Sequence, residues 1–392
     1  MLRHVKSFYR YMQLPSEAKR EAKKDHRTGL YSDPGPQRVI EEGIAWLGRA
    51  QDCSASRDGG VARDFSLVKG WATSYPETTG YIIPTMIDYG LQSGEQEPLQ
   101  RAEKMLDWLQ DIQLQDGGFQ GGKIDATPVV PVTFNTGQIL IGLAAGVKQF
   151  GRYQEATEKA AQWLVDSLDD DGCWRKHPTP FAAAGEKAYE THVAWGLFEA
   201  DRVMPGRGFG EAGMKQVEWA LTKQHENGWL DDCCLVYPVK PLTHTLGYAL
   251  RGIIEAYRWS EAPHLLQAAI RTADGLLTAL RDDGYLPGRL DSQWQPGGDY
   301  VCLTGSVQIA NNWLDLYLMT GDKKYRDAGF LANQFVRKTI DVNGADATRG
   351  AVKGSFPVGG DYGTYEYLNW AVKFCIDSNM NEMRIRQNEG LS

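Results

Sequence analysis

The sequence predicts an all-α protein, an (α/α)6 toroid of six helical hairpins preceded by an N-terminal extension. Three observations carry this. Asp/Asn-Gly turns recur at 58–59, 116–117, 171–172, 227–228, 283–284 and 343–344, at intervals of 58, 55, 56, 56 and 60 residues; a period this long marks a repeated supersecondary unit. Each turn follows an amphipathic helix and precedes a more apolar one. Strand signals are sparse, with only Val129–Val132 reading as extended, inside a loop.

The elements follow in order. Residues 1–38 read as the extension: an amphipathic stretch (Val5, Phe8, Tyr9, Met12), a charged segment, then a Pro/Gly-rich break at 32–36. Residues 39–380 form the toroid and 381–392 a C-terminal tail. The first helices of the hairpins share their wording, as in Ile44-Ala-Trp46-Leu47, Met105-Leu-Asp-Trp108-Leu109 and Ala161-Gln-Trp163-Leu164. Trp108, Trp163 and Trp219 sit on these helices and read as core. The second helices are apolar nearly all round, as in 139–147 and 307–319, which places them inside and the one-striped helices outside. The fourth, within Lys240–Arg258, has its stripe at Leu246, Leu250, Ile253, Ile254 and Tyr257. Most second helices begin with Thr or Asn, Thr191 and Thr243 among them, in the manner of N-caps.

The chain has 392 residues, 42% hydrophobic and 23% charged, enough to bury a large core. A net charge of −8 argues against a nucleic-acid partner, and Glu21 interrupts the basic run Lys19–Lys24, which reads as a solvated helix face. The six cysteines (53, 173, 233, 234, 302, 375) form no CxxC pair, so neither a zinc ribbon nor a disulfide framework is expected. No apolar leader follows Met1 and no run approaches a membrane span, so the expectation is a soluble, cytoplasmic protein. Nothing in the sequence speaks to oligomeric state.

In such a toroid the turns from outer to inner helix gather at one mouth, with helix N-termini aimed into it. The residues at those turns are rich in groups for acid/base work on a saccharide. Glu77, Glu190, Glu366 and Asp361 supply carboxylates, His192 and His244 bases, and Tyr81, Tyr248 and Tyr365 proton carriers. Arg63 and Arg251 supply cations, and Trp71, Tyr75, Asn135, Gln138, Tyr189, Tyr300 and Tyr362 platforms and hydrogen-bond partners. Glu77, His192, His244, Tyr248 and Glu366 form the expected catalytic set, the remainder the substrate-binding set. A packing role inherited with the repeat is an equal reading of His192 and His244. Arg251, seven residues into its helix, needs an acidic partner, for which Glu190 or Glu77 is the expectation.

The phrase Gln113–Phe119, with weaker copies at 171–174 and 227–229, resembles the repeat of squalene/terpenoid cyclases and prenyltransferase β-subunits. The wider layout, about residues 39–378, resembles the six-hairpin carbohydrate-active enzymes. Gly247–Gly252 followed by Asp299–Gln308 is similar to the C-terminal domain of D-glucuronyl C5-epimerases. The cyclase resemblance implies an acidic DxDD motif, which is absent: Asp169–Asp171 is preceded by Leu168, and position 229, before Asp231-Asp232, is Trp. No DDxxD diphosphate site occurs. The prenyltransferase zinc set is echoed by Asp231, Cys233 and His244, with only 11 residues between the last two. No cofactor is expected, zinc there being the lesser alternative. The leading expectation is an enzyme acting on a uronate-containing saccharide or oligosaccharide, with lyase or epimerase chemistry preferred over hydrolysis. An isoprenoid cyclase or transferase and a non-catalytic glycan-binding toroid are the alternatives.

Overall fold

The computed structural model of the chain describes residues 11–27 and 29–391. Of the predicted N-terminal amphipathic stretch, Val5, Phe8 and Tyr9 lie outside these. Helix α1 (Ser16–Arg27) precedes twelve helices in six hairpins. The outer helices are α2 (Pro36–Asp52), α4 (Gln96–Ile112), α6 (Gln154–Ser167), α8 (Phe209–Leu221), α10 (Pro263–Ala279) and α12 (Lys323–Arg337). The inner helices are α3 (Pro76–Ser93), α5 (Thr133–Phe150), α7 (Thr191–Val203), α9 (Thr243–Ser260), α11 (Leu303–Thr320) and α13 (Asn369–Glu389). Each inner helix packs on the next, and α13 closes the ring against α2 and α3. The last inner helix runs without a break to Glu389.

The periodic turns have a packing cause. Gly228 adopts a left-handed φ of 82°, and a Cβ there would lie 2.2 Å from the Arg271 carbonyl on the next outer helix. The turn therefore wedges between consecutive hairpins, backbone on backbone, and only glycine fits. The sixth repeat departs from the expected position. Gly350, at φ 76°, makes the equivalent approach, 2.3 Å from the Glu42 carbonyl of α2, and closes the ring.

The outer-helix tryptophans are core as expected, Trp108, Trp163 and Trp219 being buried. The threonines are not side-chain caps. The residue before each inner helix makes no capping bond, and the hydroxyls tie loops to helices instead. Val61 N–H donates to Thr79 Oγ1 at 3.0 Å, Phe119 N–H to Thr136 Oγ1 at 2.9 Å, and Thr245 Oγ1 to the Cys233 carbonyl at 2.8 Å. Thr191 and Thr243 donate to the Ala249 and Gly288 carbonyls. These bonds fix the mouth loops on the rigid inner ring.

Short strands escaped the sequence reading. β1 (Asp64–Ser66), β2 (Gly70–Trp71) and β5 (Glu366–Leu368) form an antiparallel sheet in the order β2-β1-β5, pairing Phe65 with Trp71 and with Tyr367. β3 (Val301–Cys302) pairs with β4 (Ser355–Phe356). Runs of two or three residues are too short to show a period of two. Val129–Val132 stays a loop, joined to Gln120 by a single bridge at Pro131.

The N-terminal segment packs on the toroid. Asp25, buried, accepts from Lys353 Nζ at 2.6 Å and from Val358 N–H at 2.7 Å. Asp33 takes a two-pronged bond from Arg337, at 2.8 and 2.9 Å. No helix among the described residues is long and apolar enough to cross a membrane.

Candidate active site

A cavity of about 740 Å³ opens where the inner helices begin. The β1–β2 hairpin brings Arg63, Asp64 and Trp71; the start of α3 brings Tyr75, Glu77 and, one turn on, Tyr81. Tyr189 comes from the 3-10 turn before α7, His244 and Tyr248 from α9, and Tyr362 and Glu366 from the last mouth loop and β5. Ten of the sequence-predicted site residues thus share one cavity. Trp370, Lys69 and Lys123 also line it and were not singled out from the sequence. The available signal for Trp370 is its place four residues after Glu366, at the start of an inner helix.

Two carboxyl groups dominate the cavity. Glu77 is 9% exposed. Burial pushes its carboxyl up to about 7, while the Tyr75 hydroxyl and the Arg63 charge favour the ionised form less strongly. Glu366 pairs with Arg63 at 3.1 Å, and the same guanidinium nitrogen holds Asp64 at 2.5 Å. Burial raises Asp64, opposed by Arg63. Arg63 also lies over the Trp370 ring, 5.1 Å from its centre. The cavity therefore holds a carboxyl whose proton is retained towards neutrality together with the two Arg63-paired carboxyls of Asp64 and Glu366.

The floor is aromatic. Tyr248 lies between the imidazoles of His192 and His244, with ring centres 4.4 Å away on each side, and its hydroxyl is 3.4 Å from that of Tyr81. His244 Nδ1 lies 2.6 Å from Gln308 Oε1, and His192 Nδ1 lies 2.6 Å from Gln138 Oε1. An amide oxygen only accepts, so each Nδ1 carries the proton. Burial pushes His244 down to about 4, against the Gln308 bond, and holds His192 well below its usual value, so both rings are neutral at pH 7.

The other predicted residues lie elsewhere. His192 and Gln138 form a layer beneath Tyr248, and His192 Nε2 and Gln138 Nε2 have no partner. Asn135 is buried on the first turn of α5. Glu190 is buried outside the cavity with Oε2 unpartnered, and burial raises it to about 8 against the Lys187 charge. Tyr300 packs against Leu242 and Tyr362, Asp361 meets Arg289 at 3.3 Å on the surface, and Tyr365 holds a left-handed φ of 61° in the last mouth loop. Arg251 faces a separate cavity of about 940 Å³ at the opposite end of the ring. Its partners are Asp315 and Glu255, each at 2.7 Å, not the expected Glu190 or Glu77. Arg251, the ninth residue of α9, already belongs to the far half of the toroid.

Asp231, Cys233 and His244 do not converge as a zinc set. Asp231 pairs with His225 at 2.7 Å, the Cys233 thiol meets the Thr245 carbonyl, and His244 is held by Gln308. Among the described residues no group of three His, Cys, Asp or Glu side chains is placed to hold a metal ion.

No protein-family model and no curated protein matches the chain. Solved structures do. An unsaturated glucuronyl hydrolase specific for heparin superposes with a TM-score of 0.71 at 13% identity, covering 91% of this chain and 99% of that one. The unsaturated glucuronyl hydrolase of Bacillus sp. GL1, responsible for degradation of glycosaminoglycan, gives 0.67 at 12%, covering 91% and 97%. Cellobiose 2-epimerase from Bacillus thermoamylovorans gives 0.67 at 12%, covering 87% and 98%.

The preference for lyase or epimerase chemistry is corrected by this set, in which hydrolases predominate: glucuronyl hydrolases, a family 88 glycosyl hydrolase and a family 76 α-mannanase. The geometry explains why the preference misled. It rested on Tyr, His and Arg side chains outnumbering an obvious carboxylate pair at the expected mouth. Arg63 is already neutralised by two acids, Arg251 is at the other end, and His192 lies behind Tyr248. Two carboxyls of the expected catalytic set, Glu77 and Glu366, line one cavity. At this level of identity the likeness establishes architecture: the chain shares the (α/α)6-toroid fold of the unsaturated glucuronyl hydrolases.

Proposed function

We propose that the protein is a glycoside hydrolase acting on a uronate-bearing oligosaccharide, with Glu77 as general acid. The observation that carries this is the buried Glu77 carboxyl, raised to about 7, in a cavity that also holds the Arg63-bound carboxylate of Glu366. Glycosidases need one carboxyl that keeps its proton for the leaving oxygen and one that is ionised. Burial supplies the first at Glu77, and Glu366, paired with Arg63, takes the place of the second.

In this reading Glu77 donates its proton to the glycosidic oxygen as the bond to the anomeric carbon breaks. The Glu366 carboxylate takes a proton from the water whose oxygen bonds to the anomeric carbon; Glu366 then releases that proton to solvent and Glu77 regains one from it. The Tyr75 hydroxyl orients the Glu77 carboxyl, and Trp71 and Tyr189 offer aromatic walls for sugar faces. Lys69 and Lys123 at the cavity edge favour an anionic sugar; Lys69 forms no ion pair among the described residues. The glucuronyl hydrolases of the same fold act on uronates, which supports the substrate class.

The test is incubation with unsaturated and saturated uronyl disaccharides, following release of the reducing sugar by chromatography. Release that Glu77→Gln lowers at least 100-fold is the expected outcome. Equal release by the variant, or release from neutral disaccharides alone, overturns the proposal.

A further inference from the structure

We propose that the substrate carries a hydrocarbon chain on the part that leaves the cavity mouth, and that the rim of the cavity binds that chain. Six of the large apolar side chains exposed on the described surface are gathered there. Val129 and Val130 come from the loop before α5, Phe181 from the loop before α7, and Val236, Tyr237 and Val239 from the loop before α9; five of the six are at least half exposed, Val239 reaching 75%.

These loops form one continuous arc. Thr133 N–H donates to the His177 carbonyl at 3.0 Å and Ala183 N–H to the Leu235 carbonyl at 2.6 Å. The Phe181 ring closes over Gly122, where an added Cβ would lie 2.9 Å from it. The Arg289 guanidinium supports the Tyr237 ring from 4.8 Å. Phe181 and Leu235 also line the cavity itself, so the apolar arc is its outward continuation.

The chemistry of the arc selects the occupant. Saccharides are held by flat aromatic faces and by polar groups that meet hydroxyls. Four of these six side chains are valines, which offer neither. Aliphatic surface gains free energy only by covering apolar surface, and a patch of this kind at the exit of a site marks what passes through it. A chain leaving the cavity past Phe181 and Leu235 lies along the arc. Lys240, on the same loop as Val236 and Val239, forms no ion pair among the described residues and suits an anionic link between sugar and chain.

The inference uses the glycosidase reading only for the identity of the sugar head, so the test separates tail from head. Methyl, octyl and dodecyl glycosides of glucuronic acid and of maltose are titrated calorimetrically into the full chain carrying Glu77→Gln. Half-burial of the tail predicts roughly twofold tighter binding per methylene, on the order of 100-fold from methyl to octyl, for both heads. Val236→Ser with Tyr237→Ser and Val239→Ser should cut that ratio below about tenfold; Val239→Ser alone, at the most exposed position, should lower it without threatening the fold. A ratio near one overturns the inference, as does a ratio that survives the serine variants. A ratio near one accompanied by pelleting with phosphatidylglycerol vesicles, or by serine-sensitive dimerisation in sedimentation, assigns the arc to a bilayer or a second copy and also overturns it. A steep ratio with equal affinity for both heads supports the rim and overturns the acidic-sugar reading.

Discussion

Replacing Glu77 by Gln should abolish activity and stabilise the protein at alkaline pH. The carboxyl titrates at about 7 in the folded protein against an ordinary value of 4.5. Folding therefore binds a proton between these values, so the stability associated with this group is full below pH 4.5 and is lost as pH rises through 7. At 1.36 kcal/mol per pH unit, the interval costs about 3 kcal/mol at pH 8. Gln has the same shape and cannot ionise, and its amide oxygen can still accept from Tyr75. Urea unfolding at pH 5 and pH 8 measures this. The variant should exceed the wild type by about 3 kcal/mol at pH 8 and by only about 1 kcal/mol at pH 5. Turnover should fall by 10²–10⁴, the contribution of a general acid. In the wild type the acid's limb in kcat/KM should fall above about pH 7. An unchanged pH slope of stability refutes the buried, raised carboxyl, and turnover within threefold of wild type refutes its role as the acid.

Glu190→Gln should show the first effect without the second: its carboxyl, raised to about 8 outside the cavity, makes the variant about 5 kcal/mol more stable at pH 9 with kcat within threefold of wild type, read by urea unfolding and initial rates. Arg251→Met should lower stability by about 2–4 kcal/mol, because the almost fully buried Asp315 and Glu255 each lose a 2.7 Å guanidinium partner, leaving Arg258 for both and Arg202 at 3.9 Å for Glu255; KM should not change, since the pair faces the far end of the ring. Gly252→Ala should cost more than about 3 kcal/mol in thermal unfolding or prevent folding, because the new methyl would stand 2.2 Å from the Thr191 carbonyl carbon where α9 crosses the start of α7.

The toroid was legible because its repeat is imposed at the backbone. A left-handed glycine touching the next outer helix tolerates no other residue, so Gly228 and its equivalents persist where side chains drift. The same reasoning shows why the sixth copy misled. Asn343-Gly344 has the wording of a turn, but the close approach to α2 is made six residues later by Gly350. Wording marks a turn; contact defines the repeat. The β1–β5 pairing was illegible for a different reason. Asp64–Ser66 and Glu366–Leu368 belong to the first and last hairpins, and the ring closure that brings them together leaves no local trace.

The site was legible to the depth of one helical turn. Tyr75, Glu77 and His244 lie at helix starts, and the direction of the inner helices alone sends them to the mouth. Below that, neighbours decide. His192 and His244 occupy the same second position of their helices, yet only His244 lines the cavity. Four residues on, one helical turn deeper on the same face, α7 has Gly196 and α9 has Tyr248. Gly196 packs on α5, where an added Cβ would lie 2.5 Å from the Gly137 carbonyl, while the Tyr248 ring reaches across from α9 and meets His192 edge-on at 4.4 Å, between it and the cavity. Two histidines equivalent in the repeat thus part company through a neighbour's ring, so one is left facing the proposed sugar site and the other becomes part of the septum between the two ends of the toroid.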